Sequence, residues 1–462
     1  LRKPDPGFSP ETLVTLLFGE WRLPPGARLK IAYSGGLDSH VLLHALATLR
    51  AGHEFHLSAV YVDHGLQAAS AMWGNHCAQV CAALSVPFRA VSVCVAKRDG
   101  EGIEAAARRA RYAALAATLE PGEFLVTAHQ RDDQAETLLL QLLRGSGAAG
   151  IAAMPTRSVF SSGELLRPLL GVGRDALHGY ANRHRLNWVE DPSNRDTDLR
   201  RNFLRQDVIP QLSRHWPQAS AMLARSAMHA AETQALLDEL AQADLDLCRD
   251  IGKPALQALS VSGLASLSAP RQRNLLRLWL RQQGFRMPSA RHLDEVLAQI
   301  RHTPRSRHAR LHWPGTEIWR YRDQLAAFLP SPMPDPALDM TWDLRQPIEI
   351  PGVGRLSLEH GRGQGVACPR LPKTLHVRLR RGGEALKLPG ASHHHSLKKL
   401  LQSEAVPPWL RCRLPVFYSG DEIVAVANFW VCEPYGARPQ DEGVRIVWEP
   451  CAGTARKPEK TS

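Results

Sequence analysis

Between residues 29 and 143, short apolar runs of strand character alternate with stretches of helical period, and this alternation limits the fold more than any other feature of the chain. Leu29 to Tyr33, Leu57 to Val62, Phe88 to Val95 and Phe124 to Ala128 read as strands. Val41 to Leu49, Ala71 to Leu84, Glu104 to Leu119 and Gln134 to Leu143 read as helices; in the first, Leu42, Ala45, Leu46 and Leu49 share one stripe. Strands alternating with helices predict an α/β fold with a doubly wound parallel sheet. Such sheets bind ligands beyond the carboxyl ends of their strands. Ahead of the first strand, residues 1–24 predict a short helix with Leu13, Leu16 and Leu17 on one face, ended by Pro24-Pro25-Gly26.

Beyond about residue 215 the pattern changes. Residues 218–250 and 270–300 are long helical patterns, and 305–330 is basic and aromatic. Pro330-Ser331-Pro332-Met333-Pro334-Asp335-Pro336 reads as a linker. Strand-like stretches follow at 346–358, 375–380 and 422–429, and the polar tail from Thr454 reads as disordered. The expected organisation is a doubly wound domain over 1–215, a mainly helical domain over 216–335, a small mixed α/β domain over 336–452 and a tail over 453–462. That suits 462 residues at roughly 150 residues per domain.

The formal net charge of +12 favours a polyanionic partner. Eight cysteines are scattered without a CxxC pair, which argues against a disulfide framework or a structural zinc site. Cys77 and Cys81 stand one helical turn apart in an apolar pattern and read as core. No apolar run is long enough for a membrane helix. No apolar segment follows Leu1-Arg2-Lys3-Pro4-Asp5-Pro6, so the expected compartment is the cytoplasm.

Ser34-Gly35-Gly36-Leu37-Asp38-Ser39 lies between the first strand and the first amphipathic helix. Two glycines let backbone approach an anion and take positive φ. A helix beginning at about Ser39 offers free N–H groups and the positive end of its dipole. Ser34 and Ser39 add hydroxyls. Asp38 would repel a phosphate unless a divalent cation stood between them, which points to Mg²⁺. The competing reading is a Gly-Gly turn with Asp38 as helix cap. The loop is neither a Walker A sequence nor a dinucleotide GxGxxG.

After the fourth strand, His129-Gln130-Arg131-Asp132-Asp133-Gln134-Ala135-Glu136 enters a helix. Asp133 and Glu136 are three residues apart and share a face. Capping by Asp132 or Asp133, with Glu136 completing a capping box, accounts for one or two acids but not for three beside a histidine. Such a cluster suits Mg²⁺ or a substrate ammonium.

Taken in order, these segments resemble a known family. The loop Ser34 to Ser39 is similar to that of PP-loop ATP pyrophosphatases, with the adenine nucleotide α-hydrolase-like fold. The likeness extends through Asp63-His64-Gly65-Leu66, Glu104-Ala105, Ala107-Arg108, Arg111-Tyr112, His129 to Thr137, Arg144-Gly145-Ser146-Gly147, Arg167-Pro168-Leu169-Leu170, Asp191-Pro192-Ser193-Asn194 and Arg201-Asn202 with Arg205. Over about 28–212 the chain resembles the tRNA(Ile)-lysidine synthetase family. The likeness continues more loosely at 275–280, 320–322, 378–383 and 397–401.

The resemblance implies a two-step ligase that uses ATP. O2 of the wobble cytidine in an isoleucine tRNA with a CAU anticodon attacks the α-phosphate, and pyrophosphate leaves. The ε-amine of L-lysine then attacks C2, and AMP leaves. By the same resemblance Ser34, Gly35, Gly36, Leu37, Asp38, Ser39 and Asp63 bind the nucleotide, and Asp38 and Asp132 hold Mg²⁺. Asp133 and Glu136 hold lysine, His129 and Asp132 line the nucleotide and cytidine pocket, and Arg108 contacts cytidine or its adenylate. Arg201, Asn202 and Arg205 hold tRNA; the competing reading is a basic face paired with Asp196, Asp198 and Asp207. Arg305, Arg307 and Arg310 suit phosphate contacts, with Trp313 and Trp319 as core. Arg378, Arg380, Arg381, Lys398 and Lys399 suit the acceptor arm. His393-His394-His395 reads as a polar loop. The family implies a monomer or a homodimer. Other readings are a PP-loop thiolase, a glutamine-fed ligase, or a non-catalytic tRNA-binding protein; the first lacks its CxxC cysteines and the second its glutaminase domain.

Overall fold

The computed structural model describes residues 7–65, 70–96, 102–249, 258–302 and 308–451, in two compact units, Leu1–Leu236 and Leu237–Ser462. Arg305, Arg307, Leu66 and the tail 453–462 lie outside the described residues. Among these residues no helix is long and apolar enough to cross a membrane.

In the first unit α1 (Pro10–Val14) runs into a wider π-turn, and Leu13 and Leu17 are buried. The alternating core follows: β1 (Ala27–Ala32), α2 (Leu37–Leu49), β2 (Phe55–Asp63), α3 (Ser70–Ala83), β3 (Phe88–Ser92), α4 (Ile103–Ala117), β4 (Glu123–Val126) and α5 (Arg131–Leu143). Then come α6 (Ala148–Ile151), β5 (Arg157–Phe160), β6 (Gly163–Leu166), α7 (Arg174–Arg183), α8 (Arg200–Phe203), α9 (Ile209–His215) and α10 (Ala219–Cys248), whose last residues from Leu237 belong to the second unit. The sheet order is β3-β2-β1-β4-β6-β5, parallel throughout except for the β5–β6 hairpin at one edge. The chain winds outward from β1 to β3 and then resumes on the other side at β4. The crevice beyond β1 and β4 is therefore the switch point where such sheets hold ligands.

Burial explains the order. Leu29 and Ile31 of β1 and Val41, Leu42, Leu43, Ala45 and Leu46 of α2 are fully buried, with Cys77 and Cys81 of α3 in the same core. Each buried Leu or Ile contributes about 1.5–3 kcal/mol; Leu42→Asp would place an unpaired charge there and break the α2–sheet contact. α2 begins at Leu37, earlier than the sequence reading of about Ser39, because Gly36 at φ −74°, ψ 163° is its N-cap.

In the second unit, helices Val261–Ser266, Ala269–Gln282 and Ala290–His302 accompany an antiparallel sheet of Leu259–Ser260, Gln324–Phe328, Thr316–Tyr321 and His308–Trp313. Leu275, Leu276, Trp279, Leu293, Leu297 and Trp313 form their core. The helical pattern at 270–300 is two helices, interrupted at Gly284 (φ +73°). Past residue 336 the chain is mainly antiparallel strands, in sheets of five and four, with the small helices Leu397–Ser403 and Pro408–Arg411.

The Pro-rich stretch 330–336 is not a free linker. Arg413, 4% exposed, donates to the carbonyls of Pro332 (2.9 Å), Ser331 (3.2 Å) and Gly352. Trp409 packs on Phe328 with ring centres 5.2 Å apart. Prolines remove N–H donors but leave carbonyls, and a buried guanidinium takes up several at once.

Candidate active site

The loop after β1 is closed by its own hydroxyls. Ser39 Oγ donates to the Gly36 carbonyl (2.9 Å), accepts from the Ser34 amide (3.3 Å) and lies 3.0 Å from Ser34 Oγ. Gly35 has φ +79°, and its carbonyl accepts from the Val189 amide at 2.9 Å. A Cβ there would stand 3.0 Å from Cys77 Sγ, so both conformation and space require glycine. Leu37, Asp38 and Ser39 occupy the first turn of α2, where backbone N–H groups have no partner within the helix. Beside the loop opens a cleft of about 250 Å³ lined by Ser34, Gly36, Tyr61, His64, Arg111 and Asp191, among others. Asp63 ends β2, and its Oδ1 accepts from the Gly65 amide at 2.8 Å.

Asp38 Oδ1 is buried without a hydrogen-bond partner. Burial pushes its carboxyl up to about 6; Asp133 and Asp132 reinforce the shift, and Arg174 and Arg205 oppose it. A buried carboxylate oxygen facing further carboxylates fits a divalent cation. Among the described residues no cluster of three His, Cys, Asp or Glu side chains forms a protein-only metal cage. The unpartnered Asp38 oxygen, with the Asp132 charge near enough to raise its pKa, fits a cation whose other ligands would be phosphate and water.

The N-terminus of α5 is built differently from the sequence expectation. Gln130 is the N-cap: its side chain accepts from the Asp132 amide (2.7 Å), and Asp133 Oδ2 accepts from the Gln130 amide (3.0 Å). Asp133 thus closes the capping box and frees Glu136 from that task. Glu136, with no exposed surface, accepts from Arg201 Nε (2.7 Å) and from Arg205 Nε (2.6 Å). Asp133 Oδ1 accepts from Arg205 (2.8 Å) and Arg201 (3.3 Å). Of the two sequence readings of the 201–205 segment, the pairing with Asp196, Asp198 and Asp207 is not what the structure shows: both arginines turn onto the acids of α5. Asn202 is buried, its amide donating to the carbonyls of Ser193 (2.9 Å) and Asp196 (2.8 Å). The helix through 200–208 widens into a π-turn at Leu204–Val208, so Arg201 and Arg205 both reach α5.

His129 follows β4, with Nδ1 2.9 Å from Thr127 Oγ1. Burial holds its imidazole neutral, well below the usual range; Asp133 opposes this, and Arg167, Arg111 and Arg201 reinforce it. Arg108 lies over the Tyr112 ring, 4.8 Å from its centre. The sequence reading assigned no role to Arg111 or Arg167. The signal was present: Arg111 is three residues from Arg108 on α4, and Arg167 directly follows β6 on the ligand edge.

The cations of the second unit divide in two. Arg310 pairs with Glu317 and lies 5.3 Å over Trp319, and Arg378 donates to Asp339 (2.7 Å). Arg380 reaches Glu384 only at 3.9 Å. Arg381, Lys398 and Lys399 are exposed. His393 and His394 are exposed outside regular structure, whereas His395 opens the short strand His395–Ser396, so the polar-loop reading of 393–395 fails at its last residue. Trp313 is buried and Trp319 half-buried.

Known proteins resemble this chain in sequence. Residues 15–212 match the PP-loop domain, 259–326 the TilS substrate binding domain and 375–448 the TilS substrate C-terminal domain. The tRNA(Ile)-lysidine synthase of Alkalilimnicola ehrlichii is 46% identical over 96% of this chain and 98% of its own length. That of Pseudomonas aeruginosa is 44% identical over 91% of this chain and 93% of its own length. That of Coxiella burnetii is 37% identical over 96% of this chain and 97% of its own length. At these identities over nearly the full length, the chain belongs to the tRNA(Ile)-lysidine synthase family.

Proposed function

We propose that this protein is a cytoplasmic ATP-dependent ligase that joins L-lysine to C2 of the wobble cytidine of the CAU-anticodon isoleucine tRNA. The observation that carries the reading is the buried, unpartnered Asp38 oxygen at the head of α2, beside a loop of free amides. A carboxylate at a phosphate-binding turn is useful to an enzyme that splits ATP between its α and β phosphates. Ser34, Gly35, Gly36, Leu37 and Ser39 hold the pyrophosphate end through amides and hydroxyls, and Asp63 lies toward the nucleoside. Asp38 and Asp132 would hold Mg²⁺, which supplies charge neutralisation to the leaving pyrophosphate. The residues mainly position and neutralise: cytidine O2 must meet the α-phosphorus in line, and the loop amides must already point at the departing oxygens. Neutral His129 and Arg108 line the cytidine side.

The acid–arginine network suits a free amino acid. Lysine carries a carboxylate and ammonium groups, and Asp133 and Glu136 beside Arg201 and Arg205 offer partners of both signs. In this reading the two arginines serve lysine and the acids, while tRNA is held by the second unit through exposed cations such as Arg381, Lys398 and Lys399. Asn202 fixes the turn that carries Arg201. The assembly is a monomer or a homodimer, which sedimentation decides.

Asp38→Ala tests the reading. Pyrophosphate release should fall by about 10³-fold or more, and tRNA affinity should hold within about 3-fold. Loss of tRNA affinity as well would make Asp38 a structural residue.

A further inference from the structure

Behind His129, buried Arg167 and half-buried Arg111 have no carboxylate among the described residues to neutralise them. Arg167 is 7% exposed. Its Nη1 donates to the Pro155 carbonyl at 2.8 Å, while its Nε is buried without a partner. The Tyr112 ring lies under Arg108, whose Nη2 donates to the Tyr112 hydroxyl at 3.4 Å. Arg111 lines the same cleft as Ser34 and Gly36 of the loop. Among the described residues no carboxylate forms an ion pair with Arg108, Arg111 or Arg167. His129 is neutral and cannot offset or add to this charge. Burial lowers the pKa of both Arg111 and Arg167, the mark of guanidiniums that have lost water without gaining an anion.

Uncompensated buried cations destabilise a fold, so a ligand is the natural counter-charge. A guanidinium fork matches two oxygens of one phosphoryl group. Ser34, His129 and Arg167 follow β1, β4 and β6, neighbours on the carboxyl edge, so an anion in the cleft faces the loop and Arg111, with Arg167 at the end of the neighbouring strand. We infer that Arg167, with Arg111 beside it, forms a binding site for a singly charged phosphoryl group at the reacting end of the cleft. The inference rests on the proposed adenylating reaction. That chemistry has two sources: the α-phosphate of the nucleotide, carried on into the adenylated cytidine, or the tRNA backbone phosphate next to that cytidine.

The test uses the full chain with Arg167→Met and Arg167→Lys. AMP affinity is measured without tRNA, tRNA affinity without nucleotide, and pyrophosphate release in a single turnover. Arg167→Met should slow release by about 100-fold or more, with Arg167→Lys recovering part of it. A loss of about 10-fold or more in AMP affinity identifies the nucleotide phosphate, and the same loss in tRNA affinity identifies the backbone phosphate. Both affinities and the rate within about 3-fold of the parent overturn the inference. If Arg167→Met does not fold, Arg111→Gln, on the half-buried cleft wall, goes through the same assays and is judged by the same thresholds. Arg167-dependent AMP binding in an enzyme that puts no lysine on tRNA would support the site and remove the reading of the reaction.

Discussion

Glu136→Gln probes the most heavily bonded group of the site. Glu136 has no exposed surface and accepts from Arg201 at 2.7 Å and from Arg205 at 2.6 Å. Glutamine keeps the volume but cancels the charge and turns one acceptor into an NH₂ that faces an N–H. Removing one partner of a buried pair costs about 3–5 kcal/mol. Arg201 and Arg205 are 23% and 28% exposed, so water recovers part of that, leaving ~2–4 kcal/mol. For a unit of this size, about 2–4 °C per kcal/mol translates to a fall in Tm of roughly 5–15 °C. The assay is thermal melting of the parent, Glu136→Gln, Arg205→Met and the double variant. The double variant should melt well above the additive expectation, with a coupling of about 1–3 kcal/mol, because Arg205→Met removes the orphaned cation. Lysine KM should rise in Glu136→Gln while the ATP KM holds. A melt within about 1 °C of the parent, or strict additivity, would refute the network as described.

Other consequences follow from single positions. Gly35→Ala should cost about 1–2 kcal/mol for φ +79° alone, with a further penalty from Cys77 Sγ and a raised ATP KM. Gly36→Ala, with φ −74° and nearest contact 3.6 Å, should be milder in melting and in ATP titration. Burial pushes His40 down to about 4, with His76 and His44 adding to the shift. The stability this represents is complete above about pH 6.5 and is lost as pH falls toward 4, ~3 kcal/mol in all. His40→Phe should therefore flatten the acid limb of Tm against pH; an unchanged limb would show that His40 is not its cause. Replacing Lys398 and Lys399 together by alanine should lower the slope of log K for tRNA against log salt by roughly 1–2, with ATP affinity unchanged.

The first unit was legible because its signals are local. Each of the first four strands is a short apolar run next to a stretch of helical period, and the loop stands between the first pair. The β5–β6 hairpin escaped notice because Arg157–Phe160 and Gly163–Leu166 are only four residues each and hold little period to read. The positions of Asp38, His129, Asp133 and Glu136 on one sheet edge followed from the alternation. Their partners did not. Arg201 lies 65 residues from Glu136, and a basic helix face looks the same in sequence whether it meets phosphate or buried carboxylate. The Pro-rich stretch misled for a related reason: composition reports missing donors but not that Arg413, some 80 residues away, bonds the carbonyls.

The most direct test is incorporation of labelled lysine into purified tRNA with ATP and Mg²⁺, against a panel of competing amino acids. The account predicts label only on the isoleucine tRNA with a CAU anticodon, with AMP and pyrophosphate released in step. Pyrophosphate released in a tRNA-dependent way without lysine on the product would contradict the assignment of lysine as the nucleophile.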